Sequence, residues 1–325
     1  MENFSKIMLM GLGDFGSKIV ESINFGQANF PKFFINSRNE YSDFNFSINQ
    51  SLIIEESGFD YDWRQSSQTV FKESQKIQDV LSNVKILFLV VGLGGATGSG
   101  AAEAVAKIAK KMGKITIVIA TNPLENDSKI RHQTSFDIIE NLKKVVDSLI
   151  LISTEQISLN YSTLFLDDVT KLIISNIEQK ISLMIKAIFQ KNALVRINSS
   201  IIESILANNN FIFVASGAAS GEQRATKAID LALRNHFVDF DLFSSQEMLI
   251  TINSSGTILQ TEINQILKKI RKNFNSDLKF SYGVYFEPRL NDQIEVGIIA
   301  SQKKHSYETA SQDKQNLIFA KMSIF

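Results

Sequence analysis

Between Gly92 and Gly100 the chain reads GLGGATGSG, five glycines in nine residues. The run before it, Lys85 to Val91 (KILFLVV), is continuously apolar, as a strand covered on both faces of a parallel sheet must be. The run after it, Ala101 to Met112, has a helical pattern and stops at Gly113, a good C-cap. Glycines let the backbone turn sharply and aim several N–H groups at one point. The helix behind adds its own free N–H groups and its dipole. Strand, loop and helix together make an anion cradle suited to phosphates, with Thr97 and Ser99 as hydroxyl donors. This is not a Walker A loop, because no Lys follows the last Gly. The competing reading is a connector whose glycines only permit tight strand–helix packing.

A second glycine loop, Gly11-Leu12-Gly13-Asp14-Phe15-Gly16, follows the apolar run Ile7 to Met10 and opens a helix from about Ser17. Alone, this spacing suggests a dinucleotide site, which wants an acid at the end of the second strand to hold a ribose. Here that strand, Phe33-Phe34-Ile35, ends in Asn36-Ser37. Two loops converging at one sheet edge fit a polyphosphate better than a dinucleotide. A further strand, Ile115 to Ala120, is stopped by Asn122-Pro123. Such alternation predicts a doubly wound α/β domain on a parallel sheet.

From Asp167 to Gln190 there is no Gly or Pro, and Leu172, Ile173, Ile177, Ile181, Met184, Ile185 and Ile188 recur at helical spacing. One long helix is expected. Beyond it come a strand at Phe211 to Val214, a helix at Arg224 to Arg234, a strand at Met248 to Ile252 and a helix at Thr261 to Phe274. Strands at Leu278 to Phe286 and Gln293 to Ala300 follow, with a turn at Asn291-Asp292. The expected division is residues 1–166, a nucleotide domain; 167–193, a central helix; 194–302, a smaller α+β domain; and 303–325, a polar tail.

Composition narrows the function. With 325 residues the chain exceeds one ordinary core. Lys plus Arg equals Asp plus Glu at 34 each, so no bulk charge attracts nucleic acid or anionic lipid. Without cysteine there is no disulfide, thiol nucleophile or thiolate metal site. His132, His236 and His305 stand singly, with no metal-ligand spacing. Met1-Glu2-Asn3-Phe4 lacks a secretory pattern and no apolar run reaches bilayer length, so the expected place is the cytoplasm, without membrane insertion. Trp63, within an acidic, polar loop, reads as a packing residue, with a partner contact as the alternative.

These motifs together resemble the FtsZ/tubulin family. Gly92 to Gly100 looks like the tubulin signature loop, with Ala96 for one glycine, and Gly11 to Ser17 is similar to the family's first phosphate loop. Ala215 to Ala225 (ASGAASGEQRA), Asp147-Ser148-Leu149-Ile150 and Glu287 to Asp292 match further family segments in order. The resemblance covers about residues 5–302. It implies that Gly11, Gly13 and Gly16 approach the phosphates of GTP or GDP, and that Gly94, Gly95, Ala96, Thr97, Gly98 and Ser99 hold the β- and γ-phosphates, with Mg²⁺ as a candidate companion. Asp127 falls on the ribose position and Arg131 on a nucleotide-reaching arginine. Their spacing puts both on one helical face, where a plain ion pair is the alternative. Asn176 falls where the guanine edge is read; an ordinary polar helix position is the alternative. The implied partner is the chain itself, in a head-to-tail filament of the cell-division class, with a conventional FtsZ copy or a membrane adaptor as further candidates and the division site as the place of action.

Departures from the family are as informative. Phe15 and Ser17 replace glycines, Lys18 replaces an Asn, and Leu172 replaces an aromatic. Only Gly58 remains of a glycine-rich loop across Gly58 to Ser66. In the loop after the long helix, Asn198 and Ile201 stand at the two acidic positions that serve hydrolysis in the next subunit's site. Glu203 is nearby but points about 200° away around a helix. Three hypotheses remain: a filament-forming GTPase with weakened hydrolysis, a structural paralogue keeping GTP as a filament cofactor, and a Rossmann-type oxidoreductase. The end Ile318 to Phe325 is either a partner peptide or packs back on the domain.

Overall fold

The computed structural model describes residues 6–25, 30–37, 50–54, 62–161, 163–189, 192–207, 210–234, 237, 242–274 and 277–302. Met1 to Phe4, residues 58–61 of the degenerate loop, His236, His305 and the 303–325 tail lie outside them. The chain divides into two compact units, residues 1–185 with 235–239, and residues 186–234 with 240–325.

The first unit contains β1 (Ile7–Leu12), α1 (Gly13–Ser22), β2 (Lys32–Ser37), β3 (Ser51–Ile54), α2 (Trp63–Lys72), α3 (Ser74–Leu81), β4 (Ile86–Gly92), α4 (Ala96–Lys111), β5 (Ile115–Thr121), α5 (Lys129–Val145), β6 (Ser148–Ile152), α6 (Thr154–Asn160) and most of α7 (Leu166–Phe189). Its strands run in the order β3-β2-β1-β4-β5-β6, every pairing parallel. Continuous apolar strands predict two-sided burial, and β1 is buried end to end while Leu87 to Val91 are all 0 % exposed. The order of the strands reverses between β1 and β4. In open α/β sheets that reversal leaves a crevice beyond the strands' carboxyl ends. Both glycine loops leave β1 and β4 at those ends.

Helices α1 and α4 begin at Gly13 and Ala96, several residues before the starts near Ser17 and Ala101 that the pattern predicts. Glycine costs about 1 kcal/mol per helical residue, so propensity argued for loops. Packing overrides it. A Cβ on Gly16 would lie 2.1 Å from Val90 O, and one on Gly100 would lie 2.3 Å from Trp63 O. Only bare backbone lets α1 seat on β4 and α2 seat on α4. The buried Glu103 carboxylate then ties three helices together. It accepts from Ser67 Oγ (2.6 Å) on α2, Lys107 Nζ (2.7 Å) on α4 and Asn141 Nδ2 (3.2 Å) on α5. Gly113, at φ +66°, ends α4 as expected. On α7 the predicted apolar positions Ile177, Ile181 and Met184 are all 0 % exposed. Lys180, on the same helix, is buried, and burial pushes its ammonium down to about 7.

The second unit contains β7 (Ala193–Val195), α8 (Ser199–Leu206), β8 (Asn210–Ala219), α9 (Arg224–Leu233), β9 (Glu247–Ser254), α10 (Gln260–Asn273), β10 (Lys279–Phe286) and β11 (Ile294–Gln302). Its strands run β8-β11-β9-β10-β7. β11 is antiparallel to both β8 and β9, β10 is parallel to β9, and β7 is antiparallel to β10. β8 runs on to Ala219, past the expected end at Val214. Gly217 permits this, because a Cβ there would meet Ala228 O at 2.3 Å, so α9 lies directly on the strand.

Arg224, 8 % exposed, anchors the start of α9. Its guanidinium donates to both Glu262 oxygens (2.8 and 3.1 Å), to Asp292 Oδ1 (2.8 Å) and to the carbonyls of Asp292 (2.6 Å) and Thr257 (3.0 Å). The hydrogen bond from Arg224 holds the Glu262 carboxyl below its ordinary 4.5. A depressed carboxyl contributes stability above its unfolded value and loses it as pH falls through the folded one. Arg224→Ala is therefore expected to cost about 3 kcal/mol, the low end for a broken buried pair, in urea unfolding near neutrality. The wild type should lose part of that advantage below about pH 4.5, while the variant's stability changes less over the same range.

Candidate functional site

Gly13 sits in the left-handed region at φ +67°, and a Cβ on it would lie 3.1 Å from both Gly98 Cα and Gly98 N. The two glycine loops are therefore in backbone contact at the switch point. A Cβ on Gly98 would in turn lie 3.0 Å from Leu12 O. Gly94, at φ +99°, packs its bare Cα against Pro123 and the backbone of Arg131, with 2.9 and 3.1 Å left for a Cβ. That contact brings the start of α5 to the second loop. Gly11, in β1, is forced by the helix that follows, since a Cβ there would lie 2.7 Å from Ser17 Cα, and Gly16 is forced by Val90.

Gly95 is different. Its backbone is extended (φ −87°, ψ 156°), which any residue adopts, and nothing lies within 4 Å of where its Cβ would be. Packing does not ask for glycine here; the bare position faces open space at the head of α4. No side chain caps α4 or α1, whereas Ser128 and Ser153 cap α5 and α6, which start at the same sheet edge. Uncapped first-turn N–H groups with open space before them form a site for anionic oxygens. Ala96 is half-buried, and Thr97 and Ser99 are buried. Ser99 Oγ accepts the Gly94 N–H at 3.1 Å, so this hydroxyl braces the loop as well as lying in it.

Asp127 precedes α5 instead of sharing a helical face with Arg131, which corrects the expectation for that pair. Ser128 caps the helix, and the Asp127 carboxylate accepts the Leu124 N–H (2.8 Å) in the turn before it. Asp127 Oδ1 still lies 3.3 Å from Arg131 Nε, so the pair forms across the cap. Arg131 Nε has no aligned hydrogen bond. Asn176, on α7 in the same unit, is 6 % exposed, and its Oδ1 has no hydrogen-bond partner. A buried amide oxygen without a donor is costly unless a ligand completes it.

Phe15 packs its ring over Gly92, about 3.1 Å from a Cβ there, so the aromatic that departs from the family pattern covers the root of the second loop. Asp14 and Lys18 pair at 2.9 Å on the outer side of α1. Trp63 is buried, as its packing role predicts, with the Arg64 guanidinium 4.5 Å over the ring. Among the described residues no group of His, Cys, Asp or Glu is arranged to hold a metal ion.

In the second unit, Asn198 is the N-cap of α8, its Oδ1 accepting the Ser200 N–H at 3.0 Å. Ile201 is half-buried in the first turn and Glu203 is exposed. Sequence reasoning missed this capping role, although Asn before Ser-Ser-Ile-Ile is a start signal.

Comparison with known proteins agrees with this architecture. The model of the Tubulin/FtsZ family GTPase domain matches residues 6–162, and that of the FtsZ family C-terminal domain matches residues 211–303. The chain belongs to the FtsZ/tubulin superfamily. It is 26 % identical over 260 residues to the cell division protein FtsZ of Mycoplasmopsis pulmonis, covering 77 % of this chain and 65 % of that protein. The chain thus spans about 65 % of the length of the curated relatives it matches. The empty FtsZ dimer of M. jannaschii has the same fold, with a TM-score of 0.76 at 19 % identity over 93 % of this chain and 89 % of that one. A GTPγS-form protofilament of TubZ from Bacillus thuringiensis serovar israelensis also has a TM-score of 0.76, at 11 % identity over 98 % and 91 %.

Two glycines separate packing from ligand space. Gly16→Ala should destabilise by about 1–3 kcal/mol or more through overpacking against β4. Gly95→Ser should be neutral or stabilising by roughly a few tenths of a kcal/mol, because it supplies the missing cap. Thermal unfolding of the two variants checks both signs.

Proposed function

We propose that this chain binds GTP or GDP at the β1–β4 switch point and assembles head to tail with copies of itself into cytoplasmic filaments of the cell-division class. The observation that carries this reading is the open, uncapped head of α4 at Gly95, joined to the first loop through Gly13 and Gly98. The family's GTPase-domain model, the division proteins among the relatives and the protofilament form of the TubZ neighbour support it.

In this reading Gly94, Gly95, Ala96, Thr97, Gly98 and Ser99 surround the β- and γ-phosphates, and backbone N–H groups neutralise their charge. Gly11, Gly13 and Gly16 let α1 approach from the other side. Asp127 meets the ribose, Arg131 adds positive charge, and the orphan Oδ1 of Asn176 takes a guanine N–H. Mg²⁺ would accompany the nucleotide on phosphate oxygens. The reading includes a role at the division site and, as further partners, a conventional FtsZ copy or a membrane adaptor.

A second reading, GTP kept as a filament cofactor with little turnover, is favoured by the loop at Asn198. Asn198 uses its Oδ1 for the cap of α8, and an amide can meet a water only by hydrogen bonding. An amide cannot take the water's proton, and Ile201 can neither orient nor deprotonate it. Loss of a positioned general base costs about 10²–10⁴-fold in rate.

Titration calorimetry with GTP and GDP tests the site. Wild type should bind both, and Gly95→Ser should weaken binding about tenfold, because its hydroxyl takes the N–H groups the phosphate needs. A wild type with no affinity for either nucleotide sinks the proposal.

Phosphate release from pelleted polymer tests the chemistry. Asn198→Asp with Ile201→Asp should raise turnover on the order of 10²-fold, since Asp caps a helix as well as Asn does. Unchanged turnover would refute this account of the loop.

A further inference from the structure

Asn36 is 1 % exposed and Ser17 is 0 % exposed, two polar side chains sealed beneath the first glycine loop. β2 sets Asn36 one residue past Ile35, which lies opposite Leu12 of β1, so the amide is level with the start of α1. The surroundings fix its orientation. The nitrogen end faces two carbonyls, Gly13 O at 3.0 Å and Ile35 O at 2.7 Å, which only a donor satisfies, beside the Ser17 hydroxyl at 2.8 Å, which can donate or accept. Gly13 is the residue held at positive φ and pressed against Gly98. The carbonyl that Asn36 holds therefore belongs to the residue that sets the spacing between the two loops.

We propose that Asn36 is a positioning residue for the phosphate cradle. Its amide pins the Gly13 carbonyl inward, which turns the following peptides of α1 toward the ligand and fixes their distance from the Gly94–Ser99 loop. The inference rests on the nucleotide reading above, and Asn36 itself does not touch the nucleotide. It also gives a physical reason why the ribose-holding acid of a dinucleotide fold is absent. A carboxylate here would face the carbonyls of Gly13 and Ile35 with no proton to offer. The charged neighbours on α1, Asp14 and Lys18, pair with each other on its outer side.

The test compares full-length wild type, Asn36→Ala and Asn36→Asp, reading GTP and GDP affinity and thermal unfolding without nucleotide at about pH 8.5 and pH 6. Loss of a buried partner for Gly13 should weaken nucleotide binding about tenfold in Asn36→Ala, equally at both pH values. Asn36→Asp should bind still more weakly at the higher pH and recover relative to wild type at the lower one, where the protonated acid regains a donor. Should Asn36→Asp fail to fold, the Ala variant carries the comparison: its nucleotide-free unfolding falls, as the lost buried hydrogen bond requires, and its nucleotide-induced shift, measured from that lower baseline, is reduced. Variants that bind within twofold of a binding wild type overturn the inference alone. An equal, pH-independent loss in both variants also overturns it, as general loosening. A wild type without affinity removes the nucleotide reading, and this inference with it.

Discussion

The meeting of β1, β4 and their two following helices leaves no room for side chains, and that exclusion governs the first unit. Gly11, Gly16, Gly98 and Gly100 each face backbone at 3.0 Å or less, counting from where a Cβ would stand. Close approach of α1 to β4 and of α2 to α4 depends on them. The same closeness draws the loops at the strand ends together, so a tightly packed interior produces a narrow backbone-lined crevice at its rim. Packing and binding then ask for the same residue type at neighbouring positions. They part at Gly95, where the interior makes no demand and the space is free.

Much of this was legible in the sequence because two-sided burial writes itself as unbroken apolar runs. KILFLVV and ITIVIA could be read as strands, and the spacing of Ile177, Ile181 and Met184 as one face of a long helix. The starts of α1 and α4 were not legible. Glycine reads as a helix breaker from local propensity, and the carbonyls of Val90 and Leu12 that favour it come from other strands. β3 and α2 were missed for other reasons. Four residues give too short a run to show a period, and WRQSSQTVFK is polar on most of its surface. In the site, both glycine loops and the Asp127–Arg131 pair could be named in advance. That Asp127 sits outside the helix, that Ser99 braces Gly94 and that Asn36 turns inward depend on contacts between distant segments.

The second unit shows the opposite economy. Arg224 is saturated by Glu262, Asp292 and Thr257, and it joins the head of α9 to two other segments. A guanidinium presents five donors in a fixed plane, so few other side chains could satisfy that set. A strong family motif, G-x-x-R-A, is here the record of an internal brace rather than of contact with a ligand.

Asn198 carries a different lesson. As the cap of α8 it serves the polypeptide's own shape, and either an amide or a carboxylate can do so. Exchange between the two leaves folding untouched and alters only what reaches outward from the helix. Selection acting on shape alone is therefore blind to that exchange. A lineage can shed a charge at this spot while every internal bond survives, and nothing in the architecture will call it back.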